Sequence, residues 1–305
     1  MPTQTTLPSL SILIPTYNQV CVELAKSLQM QASRIPGLTY ELLVGDDGST
    51  DPSVVSANEA INALPHSRYI VKENNEGRAA IRNYLARTAR YELLLYADSH
   101  MSVIREDFIA RYLQHSKQPL VYGGYTITDR GHHHHDNLRY AYEMSCIDSQ
   151  RAERRAASPY ANFHTSNFMV RREVMLTHPL DERFKRYGYE DVLFGKTLKE
   201  ANIDIVHIDI PLGFNHFESN KRFMEKTDEG LQTLSDFCEE LRGYSRLLAL
   251  SDRLCHWHLA WLPSLLFRVF GTALLHHLKG PHPTLTAFKI YRLGKFCQMR
   301  SVVKN

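Results

Sequence analysis

The chain has 305 residues, of which 43% are hydrophobic and 23% are charged. This composition is typical of a globular protein and excludes collagen-like and intrinsically disordered chains. The five cysteines are widely scattered and form no Cys-x-x-Cys pair, which argues against a disulfide framework or a zinc ribbon and favours a reducing compartment. The first ten residues lack the pattern of a secretory signal peptide, so we expect a cytoplasmic location.

The formal net charge of +3 is distributed unevenly along the chain. Residues 251–305 contain four lysines, four arginines and one aspartate, a net charge of +7, so the first 250 residues carry −4. A basic and apolar C-terminal segment predicts contact with an anionic partner. Phospholipid headgroups and a phosphorylated lipid carrier are the candidates, and nucleic acid is the weaker alternative.

The first hundred residues alternate between strand and helix patterns. Short apolar runs predict strands at 10–14, 41–44, 69–71 and 91–96. Helical spacing predicts helices over 20–33 and over 77–90. A third helix is expected to begin after a cap at Ser49 or Thr50. Strands that alternate with helices of this length predict a mostly parallel sheet flanked by helices, which is an α/β fold.

The second half of the chain is mixed. Its patterns predict strands at 120–124, 167–170 and 203–210, and helices over 137–155, 189–201 and 220–250. Gly243 is a candidate break in the last helix. The run His132 to His135 is expected to form a solvated loop. Arg151, Arg154 and Arg155 indicate either a solvated helix face or a phosphate clamp.

Polar residues follow several predicted strands, at the edge where parallel sheets bind ligands. Asp46 and Asp98 follow the second and fourth strands. Carboxylates that meet at one edge repel each other unless a cation or a ligand compensates. Asp98 and His100 are two residues apart on a segment expected to be extended, so both side chains can face the same side. This pair of ligand types suits Mn²⁺ better than Mg²⁺, and a solvated turn is the alternative.

Five short motifs occur in a fixed order. They are Ser11 to Asn18, Asp46 to Asp51, Asn75-x-Gly77 with Arg82-Asn83, Tyr96 to His100, and Tyr187 to Val192. Together they resemble the motifs of family-2 glycosyltransferases over about residues 9–235. The resemblance implies the GT-A fold, a nucleotide-sugar donor with UDP favoured, Mn²⁺ or Mg²⁺ as cofactor, and inversion at the anomeric centre.

The resemblance also implies roles in donor binding. Pro15, Thr16 and Tyr17 are expected to pack under the base and ribose. Asp46 is expected to accept a hydrogen bond from the base. Arg82 is expected either to reach the nucleotide or to be an exposed helix charge.

The same resemblance implies a metal site and a general base. Asp98 is expected to bind the ribose or the metal, and His100 the metal, although this position is commonly an aspartate in the family. His216 is a further candidate ligand, with a packed loop histidine as the alternative. Asp191 is implied as the base that deprotonates the acceptor, and the start of a predicted helix favours its ionised form.

We expect a GT-A domain over residues 1–235, with a nucleotide-sugar half at about 1–100 and an acceptor half at about 101–235. Residues 236–305 are expected to form a helical, basic and apolar extension. Its apolar run is shorter than the ~20 residues that a spanning helix needs. The segment therefore fits either a helix in the membrane interface or a terminal helix packed on the domain or on a second subunit.

The expected function is non-processive transfer of a sugar to a hydroxyl acceptor. A lipid-linked glycan is a candidate acceptor, and bacterial cell-surface glycan synthesis is the expected role. The chain lacks the Gln-x-x-Arg-Trp motif of processive relatives. A sugar-phosphate nucleotidyltransferase is an alternative, but the Gly-rich N-terminal loop of that class is missing. A catalytically inactive carbohydrate-binding protein on the same fold is the other alternative.

Overall fold

The computed structural model describes residues 8–131 and 134–302, with side chains up to residue 300. His132 and His133 of the expected solvated loop lie outside the described residues. The strands are β1 (Leu10–Thr16), β2 (Tyr40–Asp46), β3 (Ser67–Val71), β4 (Leu93–Ala97), β5 (Met101–Ser102), β6 (Leu120–Tyr122), β7 (Tyr125–Thr126), β8 (Asn167–Arg171), β9 (Ile205–His207) and β10 (Leu212–Phe214).

The helices are α1 (Val22–Ser33), α2 (Pro52–Asn58), α3 (Arg78–Thr88), α4 (Phe108–Leu113), α5 (Leu138–Cys146), α6 (Ala152–Ala156), α7 (Arg172–Thr177), α8 (Glu190–Glu200), α9 (Asn220–Asp236), α10 (Arg246–His256), α11 (Trp261–Lys279) and α12 (Leu285–Val302). The three longest helices, α9, α11 and α12, lie after residue 200.

Seven strands form the main sheet, in the order β3-β2-β1-β4-β8-β6-β9. Only β8 is antiparallel to its neighbours β4 and β6, and the other pairs are parallel. Every residue of β1, β2 and β4 is buried, as expected for parallel strands covered on both faces. The predicted α/β class with a mostly parallel sheet is therefore confirmed. A second sheet has the order β5-β10-β7.

The chain forms two compact units. Unit 1 comprises residues up to 128, 148–185 and 194–216, and it contains both sheets. Its main apolar cluster joins the sheet to the helices that cover it and includes Leu13, Leu94, Phe168 and Leu198. The expected domain boundary at residue 235 stays a prediction.

Unit 2 comprises residues 129–147, 186–193 and those from 217 onward. Its core is a cluster contributed by four helices. The members are Leu138 of α5, Phe223 and Met224 of α9, Leu278 of α11, and Ala287, Phe288 and Tyr291 of α12. The C-terminal helices therefore belong to a packed core, which favours the packed-helix interpretation for the inner side of the C-terminal segment.

Several predicted elements differ from the structure. The helix expected over 137–155 is divided into α5, a 3₁₀ turn and α6, and the one expected over 220–250 is divided by turns at 237–244. The strand expected over 203–210 is limited to β9, since β10 begins only after Pro211. The cap of α2 is Asp51, whose carboxylate accepts from Ser53 N at 2.9 Å.

Candidate active site

The register of the main sheet brings the ends of three strands to one edge. Thr16 of β1 is paired with Asp46 of β2, and Leu13 of β1 is paired with Tyr96 of β4. Asp98 directly follows β4, which ends at Ala97, so it lies at the same edge of the sheet as the end of β1. The strand ends therefore bring Pro15, Thr16, Asp46 and Asp98 together, as the carboxyl ends of parallel strands do in α/β proteins.

Hydrogen bonds join the loop after β1 to the loop after β2. Asn18 has a φ of +49°. Its N–H donates to Ser49 Oγ at 2.7 Å, and its Oδ1 accepts from the amides of Thr50 at 2.8 Å and Asp51 at 3.1 Å. Since Ser49 and Thr50 are engaged with Asn18, the cap of α2 is left to Asp51. Tyr17, between these contacts, is 44% exposed and available to a ligand.

The loop after β3 is held by the second aspartate of the Asp46-Asp47 pair. Asp47 is buried, and its carboxylate accepts from Glu76 N at 3.1 Å and from Gly77 N at 2.7 Å. Burial raises the pKa of Asp47 above its ordinary value, and the hydrogen bond from Gly77 opposes this shift. Three loops at this edge are therefore fixed to one another before any ligand binds.

Asp46, the expected base-reading residue, is fully buried. Its Oδ1 accepts from Ser49 N at 2.8 Å, and its Oδ2 accepts from the hydroxyl of Tyr69. Burial, followed by the contact with Asp46, raises the pKa of Tyr69 above its ordinary value. In this structure Asp46 organises the loop after β2, and its role in reading a base stays a prediction.

Asp98 forms an ion pair with Arg82 of α3. Arg82 Nη2 donates to Asp98 Oδ1 at 2.5 Å, and the side chain of Arg82 is 4% exposed. The alternative of an exposed helix charge is therefore wrong for Arg82. Its Nη1 donates to Arg78 O at 3.0 Å, while its buried Nε has no hydrogen-bond partner. Arg82 Nε therefore remains without a partner next to Asp98, the residue expected to bind the ribose or the metal.

The segment from Asp98 to Met101 is a turn and not an extended strand, because Met101 N donates to Asp98 O at 3.0 Å. The argument that Asp98 and His100 share one side of an extended segment is therefore wrong. The ring of His100 packs edge-on against Phe214 of β10 at 5.4 Å. β10 pairs with β5, so His100 and His216 lie at the same end of the small sheet.

Within residues 8–131 and 134–300, no three His, Cys, Asp or Glu side chains are grouped so that they could hold a metal ion. His216 is exposed. The donor types still suit a divalent cation, because Asp98 supplies carboxylate oxygen and His100 supplies imidazole nitrogen. The assignment of Asp98, His100 and His216 as metal ligands stays a prediction.

Asp191 lies in unit 2, in the first turn of α8. Its Oδ1 accepts from Val192 N at 2.8 Å. The two residues before Glu190 both have a positive φ, +94° at Gly188 and +70° at Tyr189. A tyrosine in this region is strained, and such strain is commonly found at functional sites.

The turn before Asp191 is held from α5 and α9. The hydroxyl of Thr233 donates to Tyr187 O at 3.1 Å, and the hydroxyl of Tyr187 accepts from Arg139 at 3.4 Å. The ammonium of Lys226 lies 5.7 Å from the centre of the Tyr187 ring. Arg139 is itself paired with the buried Glu143 at 2.8 Å. These contacts, which sequence patterns gave no sign of, fix the backbone that presents Asp191.

Arg155 differs from both interpretations of the arginine cluster. It is 1% exposed, whereas Arg151 and Arg154 are exposed. Its guanidinium donates to the carbonyls of Gln150, Tyr122, Gly123 and Ile208 and to His207 Nδ1. Neither a solvated face nor a phosphate clamp describes this residue, which instead ties α6 to the ends of β6 and β9.

Asn167 is a second residue that sequence reasoning missed. It is fully buried, and its Nδ2 donates to Gly124 O at 2.6 Å and to Ile210 O at 2.9 Å. Its Oδ1 accepts from the hydroxyl of Tyr112 at 2.8 Å. Asparagine at the start of an apolar strand was the available signal, since a buried amide requires partners for both of its polar atoms.

Comparison with known proteins identifies the class. The sequence model of Glycosyl transferase family 2 matches residues 11–177, which is more than half of the chain. The chain therefore belongs to this family, and the predicted resemblance is confirmed. An uncharacterized glycosyltransferase of Haemophilus influenzae is 31% identical over 104 residues, covering 34% of this chain and 38% of that protein. The match thus spans well under half of this relative.

Solved structures agree on the fold. The mannosyltransferase PcManGT from Pyrobaculum calidifontis, in complex with GDP-Man and Mn²⁺, is similar with a TM-score of 0.56 at 14% identity, over 98% of this chain and 87% of that one. Residues 1–349 of S. aureus TarS, in complex with UDP-GlcNAc, give a TM-score of 0.51 at 18% identity, over 95% and 81%. The chain covers 55% of the longer TarS structure. The predicted GT-A fold is confirmed.

Proposed function

We propose that this protein is a non-processive, inverting glycosyltransferase that moves a sugar from a nucleoside diphosphate to a hydroxyl acceptor. The observation that carries the proposal is the edge of the main sheet in a family-2 chain. There, hydrogen bonds of Asn18 and Asp47 tie three loops together, and Asp98, paired with Arg82, follows the neighbouring strand β4. A binding edge that is ordered in advance lowers the entropic cost of fixing a nucleotide.

In the proposed reaction, the acceptor oxygen forms a bond to the anomeric carbon while the bond from that carbon to the phosphate oxygen breaks. Asp191 takes the proton of the acceptor hydroxyl, and the nucleoside diphosphate leaves with the bonding electron pair. The N-terminus of α8 favours the ionised carboxylate that this role requires.

Asp98 and His100 are the residues that would hold a divalent cation, with His216 as a further candidate. A bound cation would offset the negative charge that grows on the leaving diphosphate. The Mn²⁺ in the PcManGT structure supports this choice. The guanidinium of Arg82 holds Asp98 in place, since its Nη2 donates to Asp98 Oδ1.

The donor and acceptor are also proposals. UDP-GlcNAc in TarS and GDP-Man in PcManGT support a nucleotide-sugar, and we favour a UDP-sugar. A lipid-linked glycan acceptor and a role in bacterial cell-surface glycan synthesis rest on the resemblance to the family.

Two substitutions test the proposed roles separately. Asp191→Asn removes the base and should lower transfer about 10²–10⁴-fold, while calorimetry finds UDP–Mn²⁺ binding unchanged. Asp98→Asn should weaken UDP binding in the presence of Mn²⁺. Glu173→Gln, an exposed first-turn acid of α7, is the matched control and should retain both properties.

Normal turnover by the Asp191→Asn variant would contradict the base assignment. Unchanged UDP–Mn²⁺ affinity in the Asp98→Asn variant would contradict the donor site. Failure of the unmodified protein to hydrolyse or transfer any nucleotide-sugar would favour the inactive carbohydrate-binding alternative.

A further inference from the structure

Helix α11 has two apolar sides, of which only one is packed. Its inner side contributes Phe267, Leu274, Leu275 and Leu278 to the core of unit 2. Its outer face consists of Leu262, Leu265, Leu266, Val269 and Phe270, which are 38–63% exposed. These five residues follow the i, i+3, i+4, i+7 spacing of one helix side. A helix that is apolar on both sides needs a second covering surface.

Both tryptophans of the chain are exposed, one just before α11 and one at its first residue. Trp257 follows α10 and is 63% exposed, and Trp261 begins α11 and is 60% exposed. Exposed tryptophan is unfavourable in water but typical of the boundary between lipid headgroups and acyl chains, where the ring is apolar and its N–H remains hydrated.

The charges around the outer face are positive. Arg253, Arg268 and Lys279 are exposed on α10 and α11. Asp252 is the one acid in residues 251–305, and it is paired with Arg300 at 2.7 Å. In a dimer through this face, two segments of charge +7 would lie against each other and repel. An anionic lipid surface has the complementary charge.

The geometry favours a helix that lies on the membrane. No helix in the described part of the chain is long and apolar enough to cross a membrane by itself. Helices α10 and α11 reach that length and apolar character only as a pair, with a bend of 115° between them. Since the inner side of α11 is packed against α9 and α12, one side alone is available to lipid.

We propose that the outer face of α11, with Trp257 and Trp261, inserts into the headgroup region of a membrane rich in anionic phospholipid. Basic side chains at the rim contact the phosphates, and the apolar side chains enter the boundary with the acyl chains. This proposal goes beyond the transferase activity and does not depend on it. Because unit 2 also carries Asp191, docking would keep the unit with the proposed base at the membrane that holds lipid-linked acceptors, a consequence that does rest on the proposed function.

Vesicle binding tests the proposal with the full chain and without any donor. The unmodified protein should co-sediment with vesicles of phosphatidylglycerol and phosphatidylethanolamine, bind phosphatidylcholine vesicles more weakly, and lose affinity as salt increases. The double variant Val269→Glu, Phe270→Glu should bind at least about tenfold more weakly. The control Met30→Glu, Leu176→Glu changes the charge equally at exposed apolar residues of α1 and α7, and should bind like the unmodified protein.

Tryptophan emission supplies an independent readout, because the two tryptophans of the chain are both exposed and belong to the proposed membrane contact. Their emission should shift to shorter wavelength on addition of anionic vesicles and be quenched by brominated lipid. Equal binding by the Val269→Glu, Phe270→Glu variant, or no vesicle binding by the unmodified protein, overturns the proposal. A dimer in light scattering that this variant abolishes, without vesicle binding, assigns the face to a second copy and overturns it as well.

Discussion

Two buried arginines illustrate different solutions to the cost of removing a charge from water. Arg82 is paired with the carboxylate of Asp98 at the candidate site. Arg155, among the described residues, donates to four carbonyls and one imidazole, and its guanidinium lies 4.6 Å from the centre of the Tyr122 ring. Desolvation lowers the pKa of Arg155 below its usual value. Because Arg155 is stabilised by neutral acceptors, a titratable group that accepts from it has to remain neutral.

His207 is the neighbour most affected. Its Nδ1 accepts from Arg155 Nη1 at 3.1 Å and its Nε2 donates to Pro159 O at 2.9 Å, which defines a neutral tautomer. Burial lowers the pKa of His207 to about 4, the Pro159 carbonyl opposes this, and the charge of Arg155 adds to it. Protonation at Nδ1 would remove the acceptor of Arg155.

We therefore expect the free energy of unfolding to depend on pH through His207. Between pH 6.5 and about 4 the unfolded chain binds a proton here and the folded chain does not, so stability falls as the pH is lowered. The loss should be on the order of 2 kcal/mol, allowing for the partial exposure of the ring. Urea unfolding at several pH values measures it.

The matched variant is His207→Gln, because a glutamine amide can accept from Arg155 and donate to Pro159 but does not titrate. The difference in unfolding free energy between the unmodified protein and this variant isolates His207 from the other fifteen histidines. A difference that stays constant from pH 7 to pH 4.5 would contradict the assignment.

Among the helices and strands, sequence patterns predicted those whose own residues carry a clear apolar pattern. The strands that became β1, β2 and β4 are apolar runs bounded by turn residues, and α1 and α3 have regular apolar spacing. Strands β5, β7 and β10 contain two or three residues each and are defined by pairing with distant chain, so no local pattern indicates them.

The residues proposed for the candidate site were inferred in the same way, and their roles stay predictions. Strand ends and motif order indicated Asp46, Asp98 and Asp191, whereas the partners that hold them come from distant segments. The burial of Arg82 depends on a carboxylate sixteen residues away, and that of Arg155 on carbonyls 32 to 53 residues away. These partners are brought together by tertiary packing. The periodic pattern of nearby residues in a single sequence does not indicate which distant residues will pair.

The loops at the sheet edge give a prediction about backbone geometry. Gly48 has a φ of +72°, and a Cβ placed there would lie 2.6 Å from the Asn74 carbonyl carbon. Gly48→Ala should therefore destabilise the protein by more than the ~1–2 kcal/mol of a left-handed alanine alone, and should weaken nucleotide binding by moving the loop after β2. Thermal unfolding and calorimetry with UDP–Mn²⁺ measure both effects.

Gly37→Ala is the control, because Gly37 has a φ of +77° and no atom within 4 Å of its Cβ position. It should show the conformational cost without the clash and should bind nucleotide normally. Equal destabilisation by the two substitutions would indicate that the contact with Asn74 does not constrain the loop.

In the complete chain, the C-terminal helices combine an observed packing role with the proposed membrane contact, and their sequence does not separate the two. The inner side of α11 and the buried side of α12 complete the core of unit 2, where the rings of Phe223 and Phe288 are 5.3 Å apart. Tyr291 of α12 also donates its hydroxyl to Asp228 of α9 at 2.9 Å. The outer face of α11 contributes nothing to this core.

Removal of residues 246–305 should therefore unfold unit 2 in addition to removing the proposed membrane surface. Burial of each large apolar side chain contributes about 1.5–3 kcal/mol, so the loss of Leu278, Phe288 and Tyr291 approaches the entire net stability of a typical domain. We expect the truncated chain to bind hydrophobic dyes and to lose its cooperative thermal transition. The variant Val269→Glu, Phe270→Glu, altered only on the exposed face, should retain the transition of the unmodified protein. A truncated chain with an unchanged thermal transition would show that α11 and α12 are dispensable for the core, whatever the result of the vesicle experiment.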